Sequence, residues 1–201
     1  MSSDAEVVDF DQLARNILAM TPRCGSVRLV AVDGPGGSGK SVFAARLSSA
    51  LGGAPVVHTD DFASPAEPTQ WWPRMERQVL EPLCSGRSAT FIPTAWTPTQ
   101  VVEEVEIPPA RVVIIEGVSS ARLAVVDRLA LSIWIEAPRA ERLHRGICRD
   151  GESMRETWLR WMAAEDAHYA EDRTRERSDV IVDGAPTINH DPERQFVRLG
   201  R

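Results

Sequence analysis

Val27-Arg28-Leu29-Val30-Ala31-Val32-Asp33-Gly34-Pro35-Gly36-Gly37-Ser38-Gly39-Lys40-Ser41 decides the fold. Its first six residues form an apolar run long enough for a buried strand, and the stretch after Lys40 to about Leu51 reads as a helix. Between them, Gly34-x-x-x-x-Gly39-Lys40-Ser41 matches the phosphate-loop pattern without a gap and in the right strand-then-helix context. Glycines there let successive backbone N–H groups turn inward onto an anion. The positive end of the following helix points at the same place. A lysine at position 40 neutralises β- and γ-phosphate charge, and a serine hydroxyl at position 41 suits Mg²⁺. Gly34, Gly36, Gly37, Ser38, Gly39, Lys40 and Ser41 are therefore the predicted nucleotide-binding residues.

One count sharpens this reading. The chain has 23 basic residues, of which 22 are arginine and one, Lys40, is lysine. A planar guanidinium does not replace a compact ammonium beside a phosphate. Lysine is kept where that difference matters.

The rest of the composition excludes other classes. At 201 residues the chain is one domain of ordinary size. With 29 acidic against 23 basic residues its formal charge is −6, the wrong sign for a nucleic-acid backbone or an anionic membrane. Cys24, Cys84 and Cys148 are scattered, odd in number and form no CxxC pair, so no disulfide framework is expected and a reducing compartment is the default. The acidic amino terminus does not read as a signal peptide, and no apolar run reaches membrane-spanning length. The expectation is a cytoplasmic protein.

Working outward, residues 4–20 predict an amphipathic helix with Val7, Phe10, Leu13, Ile17 and Leu18 on one face. Strands are predicted at 55–58, 112–115, 131–135 and 179–182. Helices are predicted at 74–83, from Pro138 to Arg149, and over 153–169. Segments 88–92 and 101–107 carry a weak hairpin signal. Trp158, Leu159, Trp161 and Met162 read as packing, whereas Glu165, Asp166 and His168 read as a solvated helix face. From Pro186 on no signal is legible. Apolar strands alternating with helices imply an α/β fold: a three-layer P-loop NTPase architecture with a mainly parallel sheet. Functional residues then sit at the carboxyl ends of the strands. A single domain over 1–201 is expected, with a small acceptor-side insertion at about 63–110 and a helical lid at about 138–170.

A phosphate loop alone does not separate a kinase from a GTPase, but an NKxD base-reading motif would need a second lysine. A kinase needs a carboxylate near the γ-phosphate to take the proton of the attacking hydroxyl. Asp60 and Asp61 end the second strand and are placed for that. Glu116 ends the strand Val112–Ile115 and is a Mg²⁺ candidate with Ser41 and Asp60. Arg142, Arg145 and Arg149 share a helix face at i, i+3 and i+7, the arrangement of a clamp on a transferring phosphoryl group.

Taken in order, GPGGSGKS, TDDF, IIEG, RLHRGICRD and RSDVIVDG resemble the uridine kinase and phosphoribulokinase group of P-loop kinases. The resemblance covers roughly residues 27–184. It implies ATP as donor, Mg²⁺ as cofactor and a hydroxyl of a small metabolite as acceptor. It also implies that Asp60 is the general base, that Glu116 serves the Mg²⁺ site, and that Arg142, Arg145 and Arg149 are lid arginines, with Arg145 acting alongside Lys40 in transfer. The acceptor side departs from the family. Ala63 stands where uridine kinases carry tyrosine, Ser64–Pro68 lacks the ribose-holding aspartate, and Thr94–Thr97 lacks the base-reading tyrosine and histidine. Asp61, Phe62, Trp72 and Trp96 are the acceptor-side candidates that remain. The alternatives are a cytidylate kinase-like monophosphate kinase, with Arg74, Arg77 and Arg87 holding the acceptor's phosphate, or a nucleotide-binding regulator without transfer.

Overall fold

Alternation along β2 (Arg28–Asp33) divides the core in two: Val30 and Val32 turn to one face of the sheet, Leu29 and Ala31 to the other. A strand buried on both faces lies at the centre of a layered α/β fold. In this computed structural model, which describes residues 5–63, 71–97 and 99–200, β2 is flanked by β6 (Val112–Glu116) and β7 (Leu129–Glu136), both parallel to it. β3 (Val56–His58) and β8 (Val180–Asp183) extend the parallel block on either side. The Gln195–Leu199 strand, β9, then adds antiparallel to β8, and β1 (Glu6–Asp9) adds antiparallel to β9 at the edge. The sheet order is β1-β9-β8-β7-β2-β6-β3.

Helices α1 (Phe10–Ala19) and α2 (Lys40–Ala50) cover one face, where Phe10, Phe43 and Phe196 pack ring on ring at 5.0–5.2 Å. The opposite face packs against a helical run made of α3 (Trp72–Met75), a π-helical turn (Glu76–Leu80) and α4 (Glu81–Cys84). Beyond it β4 (Ala89–Phe91) and β5 (Val105–Ile107) form a separate antiparallel pair, with Phe91 opposite Val105 and Ala89 opposite Ile107. Helices α5 (Arg139–Asp150) and α6 (Arg155–Asp172) follow β7, and α7 (Thr174–Arg177) leads into β8. Among the described residues no helix is long and apolar enough to cross a membrane.

Three sequence readings need correction. The amino-terminal helix begins at Phe10, because Glu6–Asp9 pairs with β9 instead of joining the helix. The carboxyl-terminal stretch supplies that partner strand. The reading of the cysteines fails at one pair: Cys24, beside the start of β2, is disulfide-bonded to Cys84 at the end of α4. A spacing of 60 residues gives no local sign of the pairing.

Candidate active site

The carboxyl ends of β2, β3 and β6 open on one cavity of about 450 Å³. The phosphate loop follows β2 and turns into α2 at Lys40. Gly37 has φ +76°, and a Cβ there would lie 2.5 Å from the Arg142 carbonyl, so α5 packs on the loop only because residue 37 is glycine. Gly36, Gly37, Gly39, Lys40 and Ser41 line the cavity, while Gly34 and Ser38 support the loop from behind. Lys40 is buried, its Nζ 3.0 Å from the Pro35 carbonyl. A buried ammonium at a helix amino terminus, ringed by backbone N–H groups, fits a polyphosphate.

Glu116 projects from the end of β6 to the same place. Ser41 Oγ donates to its Oε1 at 3.1 Å, and His58 Nδ1 lies 2.6 Å from its Oε2. Burial alone would raise the Glu116 carboxyl, but the bonds from His58 and Ser41 and the charge of Lys40 hold it below the usual range. The same bond to Glu116 raises His58. Asp60, in a 3-10 turn after β3, also lines the cavity. It keeps accessible surface there but has lost much of its water shell. That loss pushes its carboxyl up, with Lys40 pulling the other way. Ser41, Glu116 and Asp60 bring hydroxyl and carboxylate oxygens to the cavity, donors of the kind that would suit Mg²⁺.

Of the three arginines on the predicted face, Arg145 and Arg149 line the cavity. Arg145 Nη1 donates to the Gly184 carbonyl at 3.0 Å and to the Gly37 carbonyl at 3.3 Å, bridging β8 to the loop. Arg149 pairs with Asp150 and lies over the Trp158 ring at 5.5 Å. Arg142 is different. It is buried, its Nη1 3.7 Å from Glu165 Oε2, and it does not line the cavity. Of the acceptor-side candidates only Trp96 lines it. Trp72 packs on Trp71 beneath the Arg122 guanidinium, Phe62 is buried against Phe91, and the Asp61 carbonyl accepts the Thr94 N–H. The Ser64–Pro68 segment lies outside the described residues.

Two groups of residues escaped the sequence reading. Asp166 is exposed as expected of a solvated face, but Glu165 is not: it is 9 % exposed, lines the cavity, and accepts the Gly36 N–H at 3.0 Å. Trp161 also lines the cavity instead of packing in the core, and Leu159 is exposed. The second group centres on Asp33, fully buried at the end of β2, which binds the loop after Glu116 through the Ser119 and Ala121 N–H groups. A spacing of i, i+4, i+7 and i+11 over Trp158, Met162, Glu165 and Tyr169 is the one signal that marked α6 as an inward stripe. A second cavity, of about 820 Å³, shares Gly39, Val42 and Arg145 with the first and runs along Asp183–Pro186 towards Phe196.

No protein-family model and no curated protein matches the sequence. Solved structures do. A possible uridine kinase from Bacillus stearothermophilus superimposes with a TM-score of 0.63 at 20% identity, covering 86% of this chain and 96% of the other. A candidate fructose transport system kinase from Silicibacter sp. TM1040 superimposes with a TM-score of 0.58 at 20% identity, covering 85% and 95%. The chain therefore shares the P-loop fold of uridine kinase-like kinases.

Proposed function

We propose that this chain is a Mg²⁺- and ATP-dependent kinase that transfers the γ-phosphoryl group to a hydroxyl of a small metabolite, a nucleoside or a similar alcohol. One observation carries the reading: Lys40, Ser41, Asp60, Glu116, Arg145 and Arg149, from four separate segments, line one cavity. A regulator that only binds nucleotide has no use for an open carboxylate beside the phosphate loop. One structural neighbour is described as a possible uridine kinase and another as a candidate fructose transport system kinase, which supports the kinase class.

The loop N–H groups and Lys40 hold the β- and γ-phosphates, and the nucleoside end enters the second cavity past Gly39. Ser41 and Glu116, with Asp60 nearby, would hold the cation, which when bound would offset phosphate charge. Asp60 takes the acceptor's hydroxyl proton. The hydroxyl oxygen bonds to the γ-phosphorus, the bond from that phosphorus to the β–γ bridging oxygen breaks, and ADP leaves with the electron pair. Arg145 and Arg149 face the charge that spreads over the transferring oxygens. The monophosphate kinase reading is the weaker one. Arg74 is held by Gln78, Thr94 and the Ile92 carbonyl, and neither it, Arg77 nor Arg87 lines the cavity. A donor such as ATP is in keeping with a cytoplasmic site of action.

The test is ADP formation from Mg-ATP against nucleosides, nucleoside monophosphates, free sugars, pantothenate and glycerate, with Lys40→Ala alongside. Stimulation by one acceptor class, lost in Lys40→Ala, is the expected result. Nucleotide binding with no acceptor-dependent turnover across such classes sinks transfer in favour of a regulator.

A further inference from the structure

The acceptor end of the cavity has a chemistry of its own, and the inference drawn from it rests on the kinase reading. Helix α6 presents Trp158, Trp161 and Glu165 to the cavity at i, i+3 and i+7. Its rotation is fixed further along by Tyr169, whose hydroxyl donates to Asp33 at 2.7 Å. Trp161 meets Trp96 edge to face, centroids 6.2 Å apart at 86°. Trp96 is itself pinned, its indole N–H donating to the Asp60 carbonyl at 3.0 Å. Two indoles from separate segments thus meet beside the proposed base, in a cavity that Ala63 and Val118 also line.

Among the described residues, Asp60 and Glu165 are the carboxylates that line the cavity on this side, both hydrogen-bond acceptors when ionised. Glu165 Oε2 takes the Gly36 N–H; its second oxygen is not occupied by that bond. Of the cations lining the cavity, Lys40 and Arg145 are bonded to the phosphate loop, and Arg149 is paired with Asp150. An acceptor carrying a phosphate or carboxylate would bring like charge against two carboxylates. A nucleobase would bring carbonyls that want N–H donors, and the Trp96 N–H is already engaged with Asp60. A polyol is complementary on both counts. Its hydroxyls donate to carboxylates, and its C–H face packs against indole.

We propose that Asp60, Glu165, Trp96 and Trp161 form a binding site for an uncharged polyol, a free sugar or cyclic polyol, with the reacting hydroxyl on Asp60 and a neighbouring hydroxyl on Glu165. Glu165 is then an acceptor-binding residue, and Trp161 shapes specificity from the α6 side.

The experiment is calorimetric titration of the Mg²⁺ complex with a non-hydrolysable ATP analogue, using hexoses, pentoses, inositol, nucleosides, nucleoside monophosphates and glycerate as probes. Tryptophan emission is followed in parallel. The expected result is saturable binding of uncharged polyols in preference to the other probes. Glu165→Gln keeps an oxygen for the Gly36 N–H, so it weakens polyol binding by about tenfold or more while analogue affinity changes less than about threefold. Trp161→Ala weakens polyol binding to a similar degree and gives a second readout should Glu165→Gln misfold. Preference for nucleosides or anionic acceptors, or no polyol binding to the analogue complex, overturns the proposal. So does a Glu165→Gln variant that weakens analogue and acceptor equally. Failure of the kinase reading looks different: the analogue itself fails to bind, or binds equally well after Lys40→Ala.

Discussion

The Tyr169 hydroxyl donates to Asp33 Oδ1 at 2.7 Å across 136 residues of sequence. The same oxygen accepts the Gly34 N–H at 2.6 Å and the Ser119 N–H at 2.9 Å, and Oδ2 accepts the Ala121 N–H at 2.7 Å. One buried carboxylate thereby joins the start of the phosphate loop, the loop after Glu116, and α6. Ser119 adopts φ +62°, a conformation non-glycine residues rarely take, held by this carboxylate. Burial raises the Asp33 carboxyl against the pull of its bonds, and burial with the neighbouring Asp33 charge drives the Tyr169 phenol well above its usual range. Tyr169→Phe removes the bond to Asp33 and the long Ser119 N–H bond to the phenol oxygen, and leaves three N–H bonds on Asp33, so it lowers unfolding free energy by about 1–2 kcal/mol. Asp33→Ala takes the carboxylate from three buried N–H groups, of which only that of Ser119 keeps a partner, in Tyr169, and costs more. Urea unfolding checks both; a Phe variant as stable as the parent would mean that the bond contributes nothing.

Lys40 and Asp60 separate binding from transfer. Lys40→Ala weakens ATP binding by about tenfold or more, since no other residue places an ammonium inside the loop. Asp60→Asn lowers turnover by about 100-fold or more and leaves ATP affinity within about threefold, because the base acts on the acceptor's proton. Collapse of ATP binding in Asp60→Asn would instead make residue 60 chiefly a cation ligand. Nucleotide titrations beside steady-state kinetics distinguish the two.

Arg145 stands between the loop and β8, holding two carbonyls with one nitrogen and Glu141 with another at 2.8 Å. In a clamp such contacts strengthen as charge moves onto the transferring oxygens. Arg145→Ala is therefore expected to lower kcat by about 100-fold while weakening ATP binding less than about tenfold. Equal losses in kcat and affinity would reduce Arg145 to ground-state binding.

Asp172 links α6 to its surroundings: it accepts the Leu123 N–H at 3.0 Å and the Thr174 hydroxyl at 2.6 Å, and pairs with Arg177. Burial pushes its carboxyl up, but these partners outweigh burial and hold it below the ordinary value of 3.8. A folded-state value below the unfolded one means stability present at neutral pH and lost as pH falls through the folded value. Asp172→Asn is thus less stable than the parent by about 1 kcal/mol at pH 7. The gap closes as both are titrated towards strong acid. A gap independent of pH in urea midpoints would show that charge at residue 172 contributes nothing.

How much of this was legible depends on whether the cause lay nearby in sequence. β2, the phosphate loop and α2 are contiguous, so spacing and residue type expose them together. Glu116 and the 180–183 strand announce themselves as strand ends. Glu165 and Tyr169 did not, because a carboxylate and a phenol on a helix look solvated unless their partners are known. Those partners, Gly36 and Asp33, lie 129 and 136 residues away. β9 is five residues long, and what makes it a strand is pairing with β1 and β8, the first of them at the opposite end of the chain. Arg142 shared its helical spacing with Arg145 and Arg149 but turned inward, where Glu165 offered a buried counter-charge.

The Cys24–Cys84 bond ties the base of β2 to α4, the end of the helical run that carries Trp71 and Met75 into the core. Cys24 is buried beside Leu80, and a Cβ at Gly25 would lie 2.3 Å from the Cys84 carbonyl, so the two segments touch closely whether or not they are bonded. Closing a loop of 60 residues restricts the unfolded chain, a stabilisation of about 2–4 kcal/mol. Cys84→Ser, or reduction by dithiothreitol, is expected to lower stability by that amount. The bond lies at the amino end of β2 and the phosphate loop at its carboxyl end, so ATP binding persists at temperatures below the lowered midpoint. Thermal unfolding with and without reductant, beside nucleotide titration, gives the answer. A reduced protein that unfolds at the same temperature would show that packing around Leu80, not the covalent bond, holds α4 to the sheet.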